Sequence, residues 1–252
     1  MLDAAAAFDR PWPELQDWKK VRIEAYLQPQ RVFSPCARYA ISAVEALQLD
    51  EMPQAMICLS GLTGMMADVF EPARKLSADG RLAGPEYART SRRIHPLTLI
   101  RSLQNQVPSA LSQTFGIHGP VLNSLESGTA FAYLLPNMAQ LVARHGRVLL
   151  VLASSGNRRE ERAKRQCFLG TTAGREGAFV FLLGAEDGYG QMVPDGRIPA
   201  PELLEDTTEA FDDPILDAGR QLLRCMIERP DDRILNFRDS LGHRAAAIWK
   251  GL

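Results

Sequence analysis

Four cysteines (Cys36, Cys58, Cys167 and Cys225) and four histidines (His95, His118, His145 and His243) are the chain's stock of strong nucleophiles, bases and soft metal ligands. Their spacing does not suit a metal. No two cysteines form a CxxC and none stands four residues from a histidine, so no structural zinc or haem site is expected. Cys58 and Cys225 sit in the apolar runs AMICL and LLRCMI, where a free thiol behaves as a small buried hydrophobe. Reduced thiols of this kind fit a cytoplasmic chain. The phosphate loops GxxxxGK[ST] and GxGxxG and the serine-hydrolase frame GxSxG are all absent, and no cofactor is expected.

One segment has a geometry that enzymes use. Phe115 to Ala132 reads FGIHGPVLNSLESGTAFA: a helix ends at Gly116, a Gly-Pro turn opens a strand, and the strand runs into an apolar helix with almost no loop. A residue at such an elbow is held rigidly and faces a helix N-terminus. The plainer reading is that Gly128 only allows a sharp turn.

The elements around the elbow read as follows. Ser34-Pro35 suits a helix start, because the hydroxyl can cap and proline at the first helical position loses no bond. Tyr39, Ile41, Val44 and Leu47 then recur at helical spacing. Ala55 to Gly64 and Val148 to Ser154 are apolar runs of strand length, the habit of strands covered on both faces, and GAFVFLLG is a third. Leu99, Leu103, Val107, Leu111 and Phe115 define one apolar helical face that Pro108 is expected to kink or break. TAFAYLLPNMAQLVARHG is an apolar helix that Gly146 stops, with Arg144 and His145 suiting its negative end. The first thirty residues read as an irregular lead-in with a short helix near Glu14 to Glu24. Near the C-terminus, Leu222 to Ile227 reads as helix and ILNF and AAAIW as short strands. Long apolar helices alternating with apolar strands argue a layered α/β fold.

Composition narrows the function classes. The 252 residues are 46% hydrophobic and 23% charged, with a formal net charge of -1. A core of this size should bury roughly 70% of the extended chain's surface, so no staple is required. A broad basic face for nucleic acid is not expected. The opening MLDAAAAFDRPWPEL carries Asp3 and Asp9 and no basic run before an apolar core, so no secretory signal is expected. No apolar stretch approaches the ~20 residues of a membrane span.

The elbow and its neighbours resemble the β-ketoacyl synthases, the condensing enzymes of fatty-acid and polyketide assembly. In that family a Pro-led helix containing an Asn leads to a G-x-x-GP turn, a strand, and an Ala-Cys-x-[ST]-Gly elbow entering a long helix. Here the matching features are PLTLIRSLQNQVPSALSQTFGIHGP, with Asn105, Gly116, Gly119 and Pro120, followed by VLNSLESGTAFAYLL. VLLVLAS and EGAFVFLLG resemble the next two family strands, and SPCARYAISAVEALQL resembles an early helix. ILNFRDSLGHRAAAIW resembles the glycine-turn segment that closes the family's fold, with Leu241-Gly242 near the turn and His243 beside it. The resemblance implies an α/β truncated thiolase-like (condensing-enzyme) layered fold, with a mixed central sheet and a buried helix. It also implies one domain over 1–252: a lead-in over 1–30, a ketosynthase N-terminal-half-like core over 31–184, and a divergent segment over 185–252.

The departures from the family matter as much. Eight residues after Pro120, where the resemblance puts the nucleophilic cysteine, stands Gly128, which has no side chain to acylate. Ser127 and Thr129 flank it, and a hydroxyl without a base is a weak nucleophile. Gly128 does not supply the glutamine amide of chain-length-factor relatives either. No cysteine lies between Cys58 and Cys167, so no realignment restores one. The family's histidine pair has no recognisable counterpart, and His118 marks the turn before Gly119. The length, set beside a ~400-residue family enzyme, leaves much of the second half unaccounted for.

The resemblance therefore implies a catalytically degenerate ketosynthase-like subunit, acting as a chain-length-factor-like partner of a full-length β-ketoacyl synthase in aryl-polyene-like or related assembly. Asn105, Glu126, Thr129, Phe131 and Tyr133 are then candidates for the acyl tunnel or the interface. An acyl carrier protein is a second implied partner. Its contacts would be Arg158, Arg159, Arg162, Lys164 and Arg165, in a stretch with five bases and two acids; the alternative for that stretch is a solvated helix. Two other readings stay open: an acyl-binding homodimeric scaffold, and an acyltransferase or hydrolase using Ser127. The acidic stretch from Glu202 to Asp217 lacks calcium-loop spacing and reads as a solvated or partner-facing loop.

Overall fold

Between Arg147 and Ser154 every side chain is apolar, and a strand of that composition is stable only when both its faces are covered. A computed structural model describes residues 2–11, 33–60, 103, 105–125, 128–154, 175–184, 191–194, 213–229, 231–238 and 244–250. The elements in chain order are β1 (Leu2–Pro11), α1 (Pro35–Ala46), β2 (Ala55–Ser60), α2 (Gln106–Phe115), β3 (Val121–Leu125), α3 (Gly128–His145), β4 (Arg147–Ser154), β5 (Arg175–Gly184), β6 (Gln191–Pro194), α4 (Pro214–Glu228), β7 (Asp232–Arg238) and β8 (Arg244–Lys250). Among the described residues a five-stranded sheet has the order β1-β5-β4-β2-β3, and a three-stranded sheet the order β6-β8-β7. In the larger sheet β2, β3 and β4 are parallel, while β5 runs antiparallel to β4 and to β1. The smaller sheet is antiparallel throughout.

The apolar strands serve two cores at once. Ile57, Leu59, Leu150, Leu152, Phe179 and Phe181 face one side, where they pack with α3, α4 and the smaller sheet. Met56, Cys58, Leu149, Val151, Ala178 and Val180 alternate with them and pack beneath α1 and α2. Each fully buried aliphatic side chain contributes about 1.5–3 kcal/mol, so this two-sided burial dominates the stability. The helix start foreseen at Ser34 is present: its hydroxyl accepts the Ala37 N–H at 3.2 Å, with Pro35 in the first turn. Gly146 closes α3 in the left-handed region, at φ 72°, and its N–H donates to the Val142 carbonyl at 2.8 Å.

Three expectations change. Leu2–Pro11 is not an irregular lead-in but the ten-residue strand β1. Its alanines favour helix in isolation, yet pairing along β5 from Leu2↔Leu183 to Pro11↔Arg175 satisfies the backbone and overrides that preference. The helix expected near Glu14 to Glu24 lies outside the described residues. Within the described residues Pro108 does not interrupt α2, which begins at Gln106; Leu99, at the start of the expected helical face, lies outside them. Proline there sits in the first turn, where its missing N–H has no intrahelical acceptor to lose. Finally, the end of the acidic stretch is not a solvated loop: Asp213 caps α4, and Asp213 and Asp217 are both buried. The C-terminal readings hold, with Leu222 to Ile227 inside α4, ILNF inside β7 and AAAIW inside β8.

Candidate functional site

The elbow is built from the turn upward. Gly116 ends α2 in the left-handed region at φ 68°, and its N–H donates to the Ser112 carbonyl at 2.9 Å. Gly119 is needed for a different reason: a Cβ there would overlap the carbonyl of Gln54. The close approach lets the Gln54 side chain accept the His118 N–H at 3.2 Å and lets the Met56 N–H reach the Pro120 carbonyl at 3.1 Å. That last bond starts the β2–β3 ladder, which runs in register from Met56↔Val121 to Ser60↔Leu125. His118 is exposed in the turn, consistent with a turn position rather than a buried base.

After Leu125 the chain enters α3 at Gly128, so two residues separate strand from helix. The N-terminus of α3 therefore lies at the carboxyl ends of the parallel strands, the end at which open α/β sheets present ligand sites. A second helix is tied to the same end. Ser154, the last residue of β4, donates its hydroxyl to Asp213 Oδ2 at 2.6 Å, while Asp213 Oδ1 accepts the Ile215 and Leu216 N–H groups at 3.0 and 3.1 Å. Both Ser154 and Asp213 are 4% exposed. The carboxylate thus binds the positive end of α4 and fastens it to the larger sheet. On the opposite face, Ser34 joins the starts of α1 and α2, its N–H and hydroxyl both donating to Gln106 Oε1, at 3.0 and 2.6 Å.

The candidate residues separate clearly. Asn105 precedes α2, is exposed and makes no side-chain capping bond; its neighbour Gln106 is the buried group. Phe131 is fully buried, its ring centroid 4.9 Å from that of Phe237, so it belongs to the core between the sheets and not to a surface. Tyr133 is 74% exposed. The side chain of Thr129, and Glu126, Ser127, Arg158, Arg159, Arg162, Lys164 and Arg165, lie outside the described residues. Gly128 is the first residue of α3. The apolar faces of α3 are met within the chain, by β2 and β4 on one side and by the smaller sheet on the other, through Phe131, Leu135 and Met138.

Two of the buried thiols are poor nucleophiles. Burial pushes the Cys58 thiol far above its ordinary range. Cys225 is pushed up to about 11, chiefly by burial, with Arg233, Glu228 and Arg224 adding smaller opposing effects. The thiolate is the reacting form, and a pKa near 11 leaves roughly 0.1% of it at pH 8. Iodoacetamide at pH 8 should therefore leave Cys58 and Cys225 unmodified in the native chain and alkylate both in guanidinium, as read by peptide mass spectrometry. Rapid native labelling at either position would contradict the burial.

Sequence reasoning missed Gln106, Ser154 with Asp213, and the joint role of Ser34. The only local signals were Ser-Pro before α1 and Asp-Pro before α4, both of which mark helix starts. Among the described residues no group of His, Cys, Asp and Glu could hold a metal, and no helix is long and apolar enough to cross a membrane.

No protein-family model and no curated protein sequence matches the chain. Solved structures do. A ketosynthase in complex with its chain length factor from Xenorhabdus doucetiae is 14% identical, over 99% of this chain and 98% of that chain, with a TM-score of 0.56. A type II polyketide ketosynthase, bound to the hexaketide and in complex with its acyl-carrier protein, is 10% identical over 95% and 87%, with a TM-score of 0.60. A β-ketoacyl synthase from Burkholderia phymatum is 8% identical over 100% and 93%, with a TM-score of 0.55. The likeness therefore runs along nearly the whole chain, past the 31–184 segment that carries the sequence resemblance. With a mixed central sheet, and α3 and α4 held between it and a second sheet, the chain has the fold of the thiolase-like condensing enzymes.

Proposed function

We propose that this chain is a ketosynthase-like subunit of the chain-length-factor type, which pairs with a full-length β-ketoacyl synthase in fatty-acid or polyketide (aryl-polyene-like) synthesis and performs no condensation itself. The observation that carries the reading is the elbow: a condensing-enzyme fold delivers Gly128 to the first position of α3, where the resembling family places its acylated cysteine. The thiols of Cys58 and Cys225 are sealed in the cores and do not replace it. Two of the similar structures are a ketosynthase with its chain length factor, from Xenorhabdus doucetiae and from the ishigamide system, the second 13% identical with a TM-score of 0.58.

The surface beside the elbow supports pairing. Among the described residues β3 lies at the edge of the larger sheet, and Val121 is 38% exposed. Tyr133 lies on α3, the helix that β3 leads into, and a large exposed aromatic ring is a common interface anchor. An edge strand offers main-chain groups to a second chain, and a charge on it opposes such pairing.

Co-expression with a full-length ketosynthase of the same organism should yield a 1:1 complex by native mass spectrometry. Val121→Lys should weaken that complex about tenfold without unfolding the chain. Two chains that elute separately would remove the subunit reading. A stable homodimer alone would favour the acyl-binding scaffold, and a covalent adduct on Ser127 from an activated acyl thioester would favour the acyltransferase.

A further inference from the structure

At β7 a single side chain meets the main-chain groups that a neighbouring strand would meet. Among the described residues, in the order β6-β8-β7, β7 is an outer strand of the smaller sheet. Within it, Asn236 pairs with Ala246 of β8, but its main-chain groups go elsewhere. The Asn236 N–H donates to Gln221 Oε1 at 3.0 Å, and Gln221 Nε2 donates to the Asn236 carbonyl at 2.7 Å. Both groups therefore point away from β8, toward the position that the next strand of the sheet would occupy. The carboxamide of Gln221 reproduces what a peptide unit of that strand would offer: one acceptor and one donor, side by side.

We infer that Gln221 is a strand surrogate that closes the β7 edge to other chains. An open edge strand invites pairing with another copy, and proteins control this by covering, charging or bending the edge. β7 carries apolar residues of the kind that pair well, with Ile234 still 42% exposed, so an unguarded edge here would be a template for a second copy of the same chain. Leu222, the neighbour of Gln221 on α4, is fully buried in the core that also holds Leu235 and Phe237 of β7, so the helix holds the carboxamide in place. Asn236 is only 9% exposed, so water does not readily replace the amide. The guard is independent of which partner, if any, pairs at β3.

Native-state hydrogen exchange tests the guard directly. In the unaltered chain the Asn236 amide should be protected as strongly as the amides of Leu235 and Phe237; fast exchange at Asn236 alone would overturn the assignment without any variant. In Gln221→Met, which keeps the length and helix preference of the side chain but not its polar end, the Asn236 amide should exchange at least about tenfold faster. The folded variant should also self-associate with rising concentration, read by sedimentation velocity. A folded variant with an exposed Asn236 amide but the parent's oligomeric state would show the bond to be structural only and would refute the guard.

Discussion

Asp213→Ala lowers the unfolding free energy by about 2–4 kcal/mol, although residue 213 is not one of the apolar core residues. Two losses combine. The Ile215 and Leu216 N–H groups lose their acceptor, and loss of an N-cap side chain costs about 0.5–2 kcal/mol. The Ser154 hydroxyl, 2.6 Å from the carboxylate and nearly fully buried, is left without an acceptor, which costs about 1–3 kcal/mol. For a chain of this size each kcal/mol moves the melting temperature by about 2–4 °C, so the expected fall is large enough for a simple thermal melt. Asp213→Asn keeps an acceptor for the helix and a group that Ser154 can bond, and should lose about 1 kcal/mol. The sharper check is the double variant. Removing both partners removes the orphaned hydroxyl, so Ser154→Ala with Asp213→Ala should be less damaging than the sum of the single changes by about 1–2 kcal/mol. Strict additivity in urea titrations would mean that the bond does not tie α4 to β4.

The contact between Ser154 and Asp213 also marks how far the sequence could be read. Strands covered on both faces announce themselves: β2, β4 and β5 are apolar at nearly every position, because each side chain has a core to enter. The turn glycines, the caps at Ser34 and Gly146 and the count from Pro120 to Gly128 are local patterns and were legible for the same reason. β1 was not, since LDAAAAF has the composition of a helix and becomes a strand only because β5 lies beside it. Asp213 looked like one more acid in an acidic stretch. Its partner is 59 residues earlier, and no periodicity reports such a distance. Pro108 was expected to kink or break a helix along the apolar spacing from Leu99 to Phe115, whereas in α2 it lies in the first turn, two residues after the start. At the elbow, the sequence could say which residue arrives at the head of α3, and the fold says what surrounds that arrival.

Gly119→Ala should be among the most damaging single changes in the described chain, at about 3 kcal/mol or more, while Gly116→Ala three residues earlier should cost about 1 kcal/mol. The contrast separates two roles of glycine. Gly116 has a positive φ of 68° and open surroundings, the nearest atom to an added Cβ being His118 Nε2 at 4.0 Å, so alanine there pays only for the left-handed backbone. Gly119 has no positive φ to protect, but its Cβ would collide with the Gln54 carbonyl, a backbone atom that no rotamer change can move. Relief requires the turn to withdraw from Gln54, which breaks the bond from the His118 N–H and the Met56 to Pro120 bond that sets the first step of the β2–β3 ladder. Overpacking against side chains costs about 1–3 kcal/mol, and a collision with backbone belongs at or above the top of that range. Because β3 leads directly to Gly128, Gly119→Ala should also impair the proposed pairing with a ketosynthase under conditions in which it remains folded. Equal losses for the two variants in urea titrations would show that the turn absorbs the added carbon, and that the Gly-Pro turn does not fix the register of the elbow.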